Sequence, residues 1–384
     1  MALGAMAVTH AFIVGINGYP HLPKVAGNGQ KTPLNLGLRQ PASAVADATA
    51  FYRWLATEYR NPSAPLATCR VLISPAEEDY LLDQAFDRQI EPATVTNFLR
   101  EAGEWRRDAE TNRHNVMIFF FAGCAVQVTK LQSILVLHDF GDGIGGRLRH
   151  AVDVASLIGG LTPSTSRPDI ARTQLFFIDG RRAPPESFSY FESTGTTSAF
   201  DLELPGLDDR NNPMFYASLA ASADSYRRVS SFGAALLKCM NGDAASRVGE
   251  NDDDVSWAVT TASLFQTLPR LLDETNRAQL EDWTLSIGGG SFQDTPIHYL
   301  AEAPLVDVQL SLPTQLSRPG LIVKVTDQSG ETVLDLPYEA ASAQKHRLRA
   351  GIYDVQVSAP GARSTTTIKM ATPPASTWKV ALRE

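Results

Sequence analysis

The residue in this chain whose type and setting most invite chemistry is Cys124. Val116 to Phe121 is an unbroken apolar run, closed by Ala122-Gly123-Cys124-Ala125. Such a run suits a central parallel strand covered on both faces. Its expected end at Ala122-Gly123 puts Cys124 at the strand's carboxyl edge, where open α/β sheets bind ligands and carry chemistry. A thiolate there can attack a carbonyl if a histidine stands within proton-transfer reach. A second apolar run, Gln174 to Ile178, ends at Asp179-Gly180-Arg181-Arg182. Arg181 cannot be a nucleophile, because its guanidinium stays protonated. Beside Cys124 it could lower the thiol's pKa, yet it supplies no general acid for a leaving amine.

Other candidates carry weaker signals. His114, His138 and His150 have no ligand spacing and are expected on the surface or in loops. Asp139-Phe140-Gly141-Asp142-Gly143 places oxygens alternately, as calcium loops do, but lacks the length and closing glutamate of an EF-hand. Gly288-Gly289-Gly290 does not lead from a strand into a helix, and Glu250 to Asp254 reads as a solvated acidic loop. Cys69 and Cys239 fall on apolar faces and are expected in the core. Three scattered cysteines form neither a disulfide framework nor a zinc pattern, which points to a reducing compartment. No metal and no cofactor is expected.

The elements that must position Cys124 read as an α/β domain. Ala11 to Ile16 is a first strand ending at Asn17-Gly18. Val45, Ala48, Tyr52, Leu55 and Tyr59 recur at helical steps, Cys69 to Ile73 is a strand, and Pro92 opens a helix carrying Val95, Phe98, Leu99, Ala102 and Trp105. Ser133 to Leu137 and Phe215 to Leu219 are further strands. Val152 to Leu161, Phe232 to Cys239 and Leu264 to Leu272 are helices, the second stopped by Asn241-Gly242. Ala183 to Asn212 is a long polar connector, longer than ordinary connections and therefore functional or unstructured. After residue 300 the pattern changes to short alternating strands around Val306–Leu312, Leu321–Val325 and Tyr353–Val357, separated by turns, which predicts a small all-β sandwich of immunoglobulin-like or prealbumin-like type. The expected division is residues 8–300 and 304–384. The net charge of -8 gives no global attraction to nucleic acid. No apolar run is long enough to span a membrane, and the first residues lack a secretory pattern. A cytoplasmic protein is the expectation.

Five local patterns stand in an order that resembles the caspase-like peptidase clan, nearest to prokaryotic metacaspase-like domains. They are Phe12-Ile13-Val14-Gly15-Ile16-Asn17-Gly18-Tyr19-Pro20, Ala44 to Ala48, Phe119 to Gly123, Leu175 to Asp179, and the pair Ala220 to Tyr226 with Ser231 to Leu237. The resemblance covers roughly residues 8–300 and implies a caspase-like α/β/α sandwich around a mostly parallel sheet. The family's catalytic histidine follows the Ala-Gly turn, and here Cys124-Ala125 stand there. Its nucleophilic cysteine lies two residues after the strand-ending aspartate, and here that residue is Arg181. The resemblance thus implies a dead peptidase.

Asp47 and Asp179 match acidic positions that line the family's pocket for a basic side chain. If kept, they could hold an Arg or Lys of a partner by charge-assisted hydrogen bonds. Alternatively Asp47 caps or salt-bridges its helix and Asp179 is satisfied by Arg181 or Arg182, which could also plug the pocket. The connector lies where relatives are processed, so Arg181, Arg182 and Arg210 are candidate cleavage points. The expected function is that of a regulator, scaffold or substrate of a caspase-like protease in a prokaryotic defence or cell-death cascade, with type III CRISPR systems as an implied context. Its partner is a protein, and the chain could be a homo- or hetero-oligomer. The alternative is an active cysteine peptidase using Cys124 in a rearranged site.

Overall fold

A computed structural model describes residues 6–23, 38–79, 86, 89–127, 133–142, 147–182, 195–203, 206–219, 229–249, 256–279, 283–290, 293–311, 320–338, 344–361 and 364–379. The chain forms two compact units, Met1–Leu237 with Pro269–Asp294, and Lys238–Leu268 with Thr295–Glu384. The expected boundary near residue 300 is therefore corrected. Residues 238–268 go with the C-terminal unit because their strands pair with a strand beyond residue 295.

The first unit contains β1 (Thr9–Ile16), α1 (Ala44–Thr57), β2 (Leu66–Ser74), α2 (Val95–Ala109), β3 (Val116–Gln127), β4 (Ser133–Val136), β5 (Ala151–Asp153), α3 (Val154–Gly159), β6 (Thr173–Arg182), β7 (Thr197–Ser198), β8 (Met214–Leu219) and α4 (Ser231–Lys238). The second holds β9 (Ala245–Val248) and β10 (Ser256–Thr260), which leads into α5 (Thr261–Gln279). After α5 the chain gives β11 (Trp283–Gly288) to the first unit, and β12 (Pro296–Tyr299) to the second.

In the first unit β2-β1-β3-β6-β8 run parallel, and β11 closes the row antiparallel to β8. Register builds aromatic rows across this sheet. Phe12, Phe119 and Phe176 are successive partners on one face and meet Phe98 and Trp105 of α2. Ile13, Phe120, Phe177 and Phe215 are partners on the other face, where Phe51 of α1 stacks on Phe120 at 4.6 Å between ring centroids. These side chains are almost fully buried. Each contributes on the order of 2 kcal/mol by leaving water, and offset or tilted ring pairs add to that. Both faces being covered accounts for the continuous apolar runs in place of alternation.

The structure corrects two expected strand ends. β3 does not stop at Ala122-Gly123 but runs on to Gln127, and β6 continues to Arg182. The ladder persists because Ala122 through Ala125 keep partners in β6, while Ala125 to Gln127 gain an antiparallel neighbour in β4. Small residues here permit close packing and do not enforce a turn. The expected helix Val152–Leu161 divides into β5 and the short α3, whose start is fixed by Asp153 accepting the N–H of Ala155 at 2.9 Å.

The C-terminal unit adds β13 (Leu305–Ser311), β14 (Ile322–Asp327), β15 (Thr332–Pro337), β16 (Gln344–Arg349), β17 (Gly351–Ser358), β18 (Thr365–Ala371) and β19 (Ala375–Lys379). They form the sheets β16-β13-β19 and β15-β14-β17-β18, beside β12-β10-β9. Val306, Val308 and Leu310 of the first sheet share one apolar cluster with Val323, Val325, Val355 and Val357 of the second. Period-two alternation along the strands places these residues inward. One pair, β13 with β19, is parallel.

Candidate functional site

The carboxyl ends of β3 and β6 bring Cys124 and Arg181 together as register partners, next to the pair Ala122 and Asp179. Residues two apart share a sheet face, so Asp179 lies on the face where Phe177 meets Phe51 of α1. The backbone of Arg181 and Arg182 belongs to β6, and their side chains lie outside the described residues.

Cys124 is fully buried. Its thiol donates to the carbonyl of Arg39 at 3.3 Å, and its N–H donates to Tyr19 Oη at 2.8 Å. Tyr19 in turn donates to the carbonyl of Val136 at 3.1 Å. A Cβ on residue 123 would stand 2.8 Å from Tyr19 Oη, so Gly123 is what admits the phenol. Burial, and then the neighbouring Cys124, push the Tyr19 hydroxyl well above its ordinary pKa, so it stays a neutral donor and acceptor. A thiol enclosed in this way packs as a small core residue with its proton engaged.

The second cluster joins three distant segments. Asp47 on α1 and Asp179 on β6 are both buried, and Ser230 links them. The N–H of Ser230 donates to Asp47 Oδ1 at 2.7 Å, and its hydroxyl donates to Asp179 Oδ2 at 2.7 Å. The same hydroxyl oxygen accepts the N–H of Gly233 at 2.9 Å, an N-cap bond that fixes its orientation at the start of α4. Gly233 has no room for a side chain, because a Cβ would lie 2.3 Å from Asp47 Oδ1. Burial first, and then the charge of Asp179, hold the Asp47 carboxyl well above the usual carboxylate range, while hydrogen bonds from Ser230 and Ser43 act in the opposite direction. Asp47 Oδ2 is buried and has no hydrogen-bond partner. Asp47 lies in the first turn of α1, and its interaction with Ser43 ties it to the residue that caps that helix. Ser230 was missed in the sequence, although a serine before the helical run Ser231–Leu237 is a legible cap signal.

Arg210 is corrected as a cleavage point. Its side chain is 5% exposed. The guanidinium donates to Asp208 Oδ1 and Oδ2, to the carbonyl of Ile158 at 2.8 Å and to Gln174 Oε1 at 3.1 Å. A protease that reads an arginine side chain finds this one built into the fold.

The remaining candidates are spread apart. Asp139 holds the start of a helix. Its carboxylate takes the N–H of Val95 at 3.0 Å, the first turn of α2. His138 and His150 are half-buried, with Nδ1 against the carbonyls of Gly18 and Asp139. His114 is exposed, Cys239 buried and Cys69 only half-buried, which corrects the expectation of a core position. Gly288 ends β11 and Gly289 and Gly290 follow it, with β12 the next described element. Glu250 to Asp254 and the connector residues 183–194 lie outside the described residues. Among the described residues no three His, Cys, Asp or Glu side chains stand together to hold a metal ion. No helix is long and apolar enough to cross a membrane.

No protein-family model matches the chain, and no curated protein matches it.

Proposed function

We propose that this chain is a catalytically inactive caspase-like protein whose acidic site holds a basic side chain of a partner protein. One observation carries the reading. The two positions where the resemblance calls for a histidine and a cysteine are register partners on adjacent parallel strands, and they hold Cys124 and Arg181. Asp179, two residues before Arg181 on β6, is buried and is joined through Ser230 to the buried Asp47 of α1. Two carboxylates drawn into one buried place are costly unless a cation offsets them, and Asp47 Oδ2 is left without a partner.

Against the active-peptidase reading stands the thiol itself, buried and bonded to a backbone carbonyl. The mostly parallel sheet with helices on both faces supports the caspase-like assignment, and the two C-terminal sheets with one core support an immunoglobulin-like or prealbumin-like interaction module. In this reading the chain acts as regulator, scaffold or substrate of a caspase-like protease, in a prokaryotic defence or cell-death cascade such as one tied to type III CRISPR, in the cytoplasm.

Fluorogenic peptides ending in Arg or Lys and a thiol-directed peptidase probe test this. The expected result is no turnover and no labelling of Cys124, with retention of arginine-containing peptides that Asp47→Asn abolishes. Turnover lost on Cys124→Ala overturns the proposal. Retention that appears only in Arg181→Gln identifies a pocket plugged from within.

A further inference from the structure

β11 runs out into Gly288-Gly289-Gly290, and the fold accounts for two of these glycines. Gly289 has a φ of 115°, and a Cβ there would stand 2.1 Å from the carbonyl oxygen of Asn212. Gly290 donates its N–H to Asn212 Oδ1 at 2.6 Å, and a Cβ would come within 2.8 Å of that oxygen. Gly288 is different. It belongs to the strand, and its Cβ would meet the terminal methyl of Met214 at 3.3 Å, the end of a flexible side chain. A glycine in a strand weakens it and often marks a place where another backbone or a ligand comes close. Beside Gly288 the first unit holds a groove of about 470 Å³ between α3 and the sheet. Met214 and Tyr216 of β8, with their register partners Gly288 and Ser286 of β11, form its floor. Ala155 and Ile158 of α3 form its wall. Among the described residues, those lining it carry no charge.

We propose that this groove and the outer edge of β11 take an extended, uncharged segment of a partner protein, which adds a strand to the sheet and seats an apolar side chain over Gly288. β11 stands at the end of its sheet, with β8 as its paired neighbour among the described residues. An antiparallel strand turns alternate N–H and C=O groups away from its neighbour, and on an edge strand those groups can pair with an added chain. Residues 283–290 hold no lysine, proline or acidic residue, the usual guards of an edge. Ser286, Gly289 and Gly290 are exposed. In an added strand the side chain opposite Gly288 falls on the groove's face, as do those two residues away. Charge matching selects the occupant. A lysine or aspartate side chain would lose its water with no counter-ion in the lining, whereas a leucine buries apolar surface there. A second copy of this chain is the poorer occupant. β11 paired antiparallel with itself offers Ser286 and Gly288 on that face, which leave the groove unfilled.

Calorimetry and amide hydrogen exchange on the full chain test this. The probe is a capped peptide of 6 residues, the length of β11, in which leucine alternates with threonine. The controls are the same residues in non-alternating order and a peptide with lysine for each leucine. The alternating peptide is expected to bind, to slow exchange in residues 285–288 and to leave β2 unchanged. Gly288→Val fills the groove from its floor, and Ala155→Leu fills it from its wall should the first variant fold poorly. Each is expected to weaken binding about tenfold or more, because the peptide's leucine loses its seat. The urea midpoint of Gly288→Val is expected to hold or rise, since valine suits a strand better than glycine. Equal binding of the peptide and its controls, or an affinity that neither variant changes, overturns the proposal. So does the absence of binding. Protection of residues 285–288 that grows with protein concentration and that the peptide does not displace overturns it in favour of a second copy.

Discussion

Tyr19 and Cys124, 105 residues apart, are joined where β3 passes its glycine: the backbone N–H of Cys124 ends on Tyr19 Oη, and the phenol hands its own proton to Val136. The tyrosine reaches the backbone beside Cys124 through the space that Gly123 leaves.

Removing that hydroxyl has a cost set by what it leaves behind. Tyr19→Phe strands the buried N–H of Cys124 and the carbonyl of Val136, so a loss of about 1–3 kcal/mol is expected. Gly123→Ala forces a Cβ against the phenol and the Phe121 ring and is expected to cost about 1–3 kcal/mol. Urea midpoints of the two variants check both, and the double variant should cost less than the sum, because alanine no longer meets the hydroxyl.

Thiol accessibility follows from burial. Cys124 and Cys239 are buried and Cys69 is half-buried. Ellman's reagent is expected to find Cys69 alone in the native protein and all three cysteines in denaturant. Rapid native modification of Cys124, identified by mass spectrometry, would contradict the closed site.

The raised Asp47 carboxyl fixes the sign of a pH effect on stability. The folded chain holds its proton to higher pH than the unfolded chain does. Stability from this group is therefore full below the ordinary aspartate range and declines as pH rises from there to the raised folded value. Asp47→Asn removes the decline. The stability difference between variant and wild type is expected to shift in favour of the variant by about 1.4 kcal/mol for each pH unit across that window, as read from urea midpoints at successive pH values.

Arg210 supports the fold. Arg210→Ala leaves Gln174 Oε1 and the carbonyl of Ile158 short of a donor and is expected to cost about 3 kcal/mol. Arg210→Lys should recover only part of this, because an ammonium group cannot make the forked pair with Asp208. Limited trypsin digestion is expected to spare the bond after Arg210 in the native wild type. Early cleavage there would show that the segment opens readily. The bonds from Arg210 hold the Asp208 carboxyl below its ordinary range. This contribution is present above the ordinary aspartate pKa and fades as pH falls through the lowered one.

Much of the sheet was legible because the central strands are apolar at every position, and a strand covered on both faces needs no alternation to be recognised. Residues 116–121 and 174–178 were identified in this way. What continued them was not legible. Ala122-Gly123 and Asp179-Gly180 read as turns, since small residues and glycine interrupt strands in isolation, yet hydrogen bonds to β4 and between β3 and β6 carry both strands onward. Arg210 looked like a cleavable polar residue because its partners Ile158 and Gln174 lie 52 and 36 residues away.

By itself the sequence determined the alternation of strands and helices, the change to period-two patterning beyond residue 300, and which residue types, Cys124 and Arg181, follow the two central apolar runs. These are properties of residue type and local order, which the chain carries whether folded or not. The tertiary structure alone decided that Cys124 is enclosed by Tyr19 and the Arg39 carbonyl, and that Ser230 joins Asp47 to Asp179. Those outcomes depend on which distant backbone and side-chain groups share a place without water. There the cost of an unpaired charge or donor, and not the identity of any one residue, sets what the site can do.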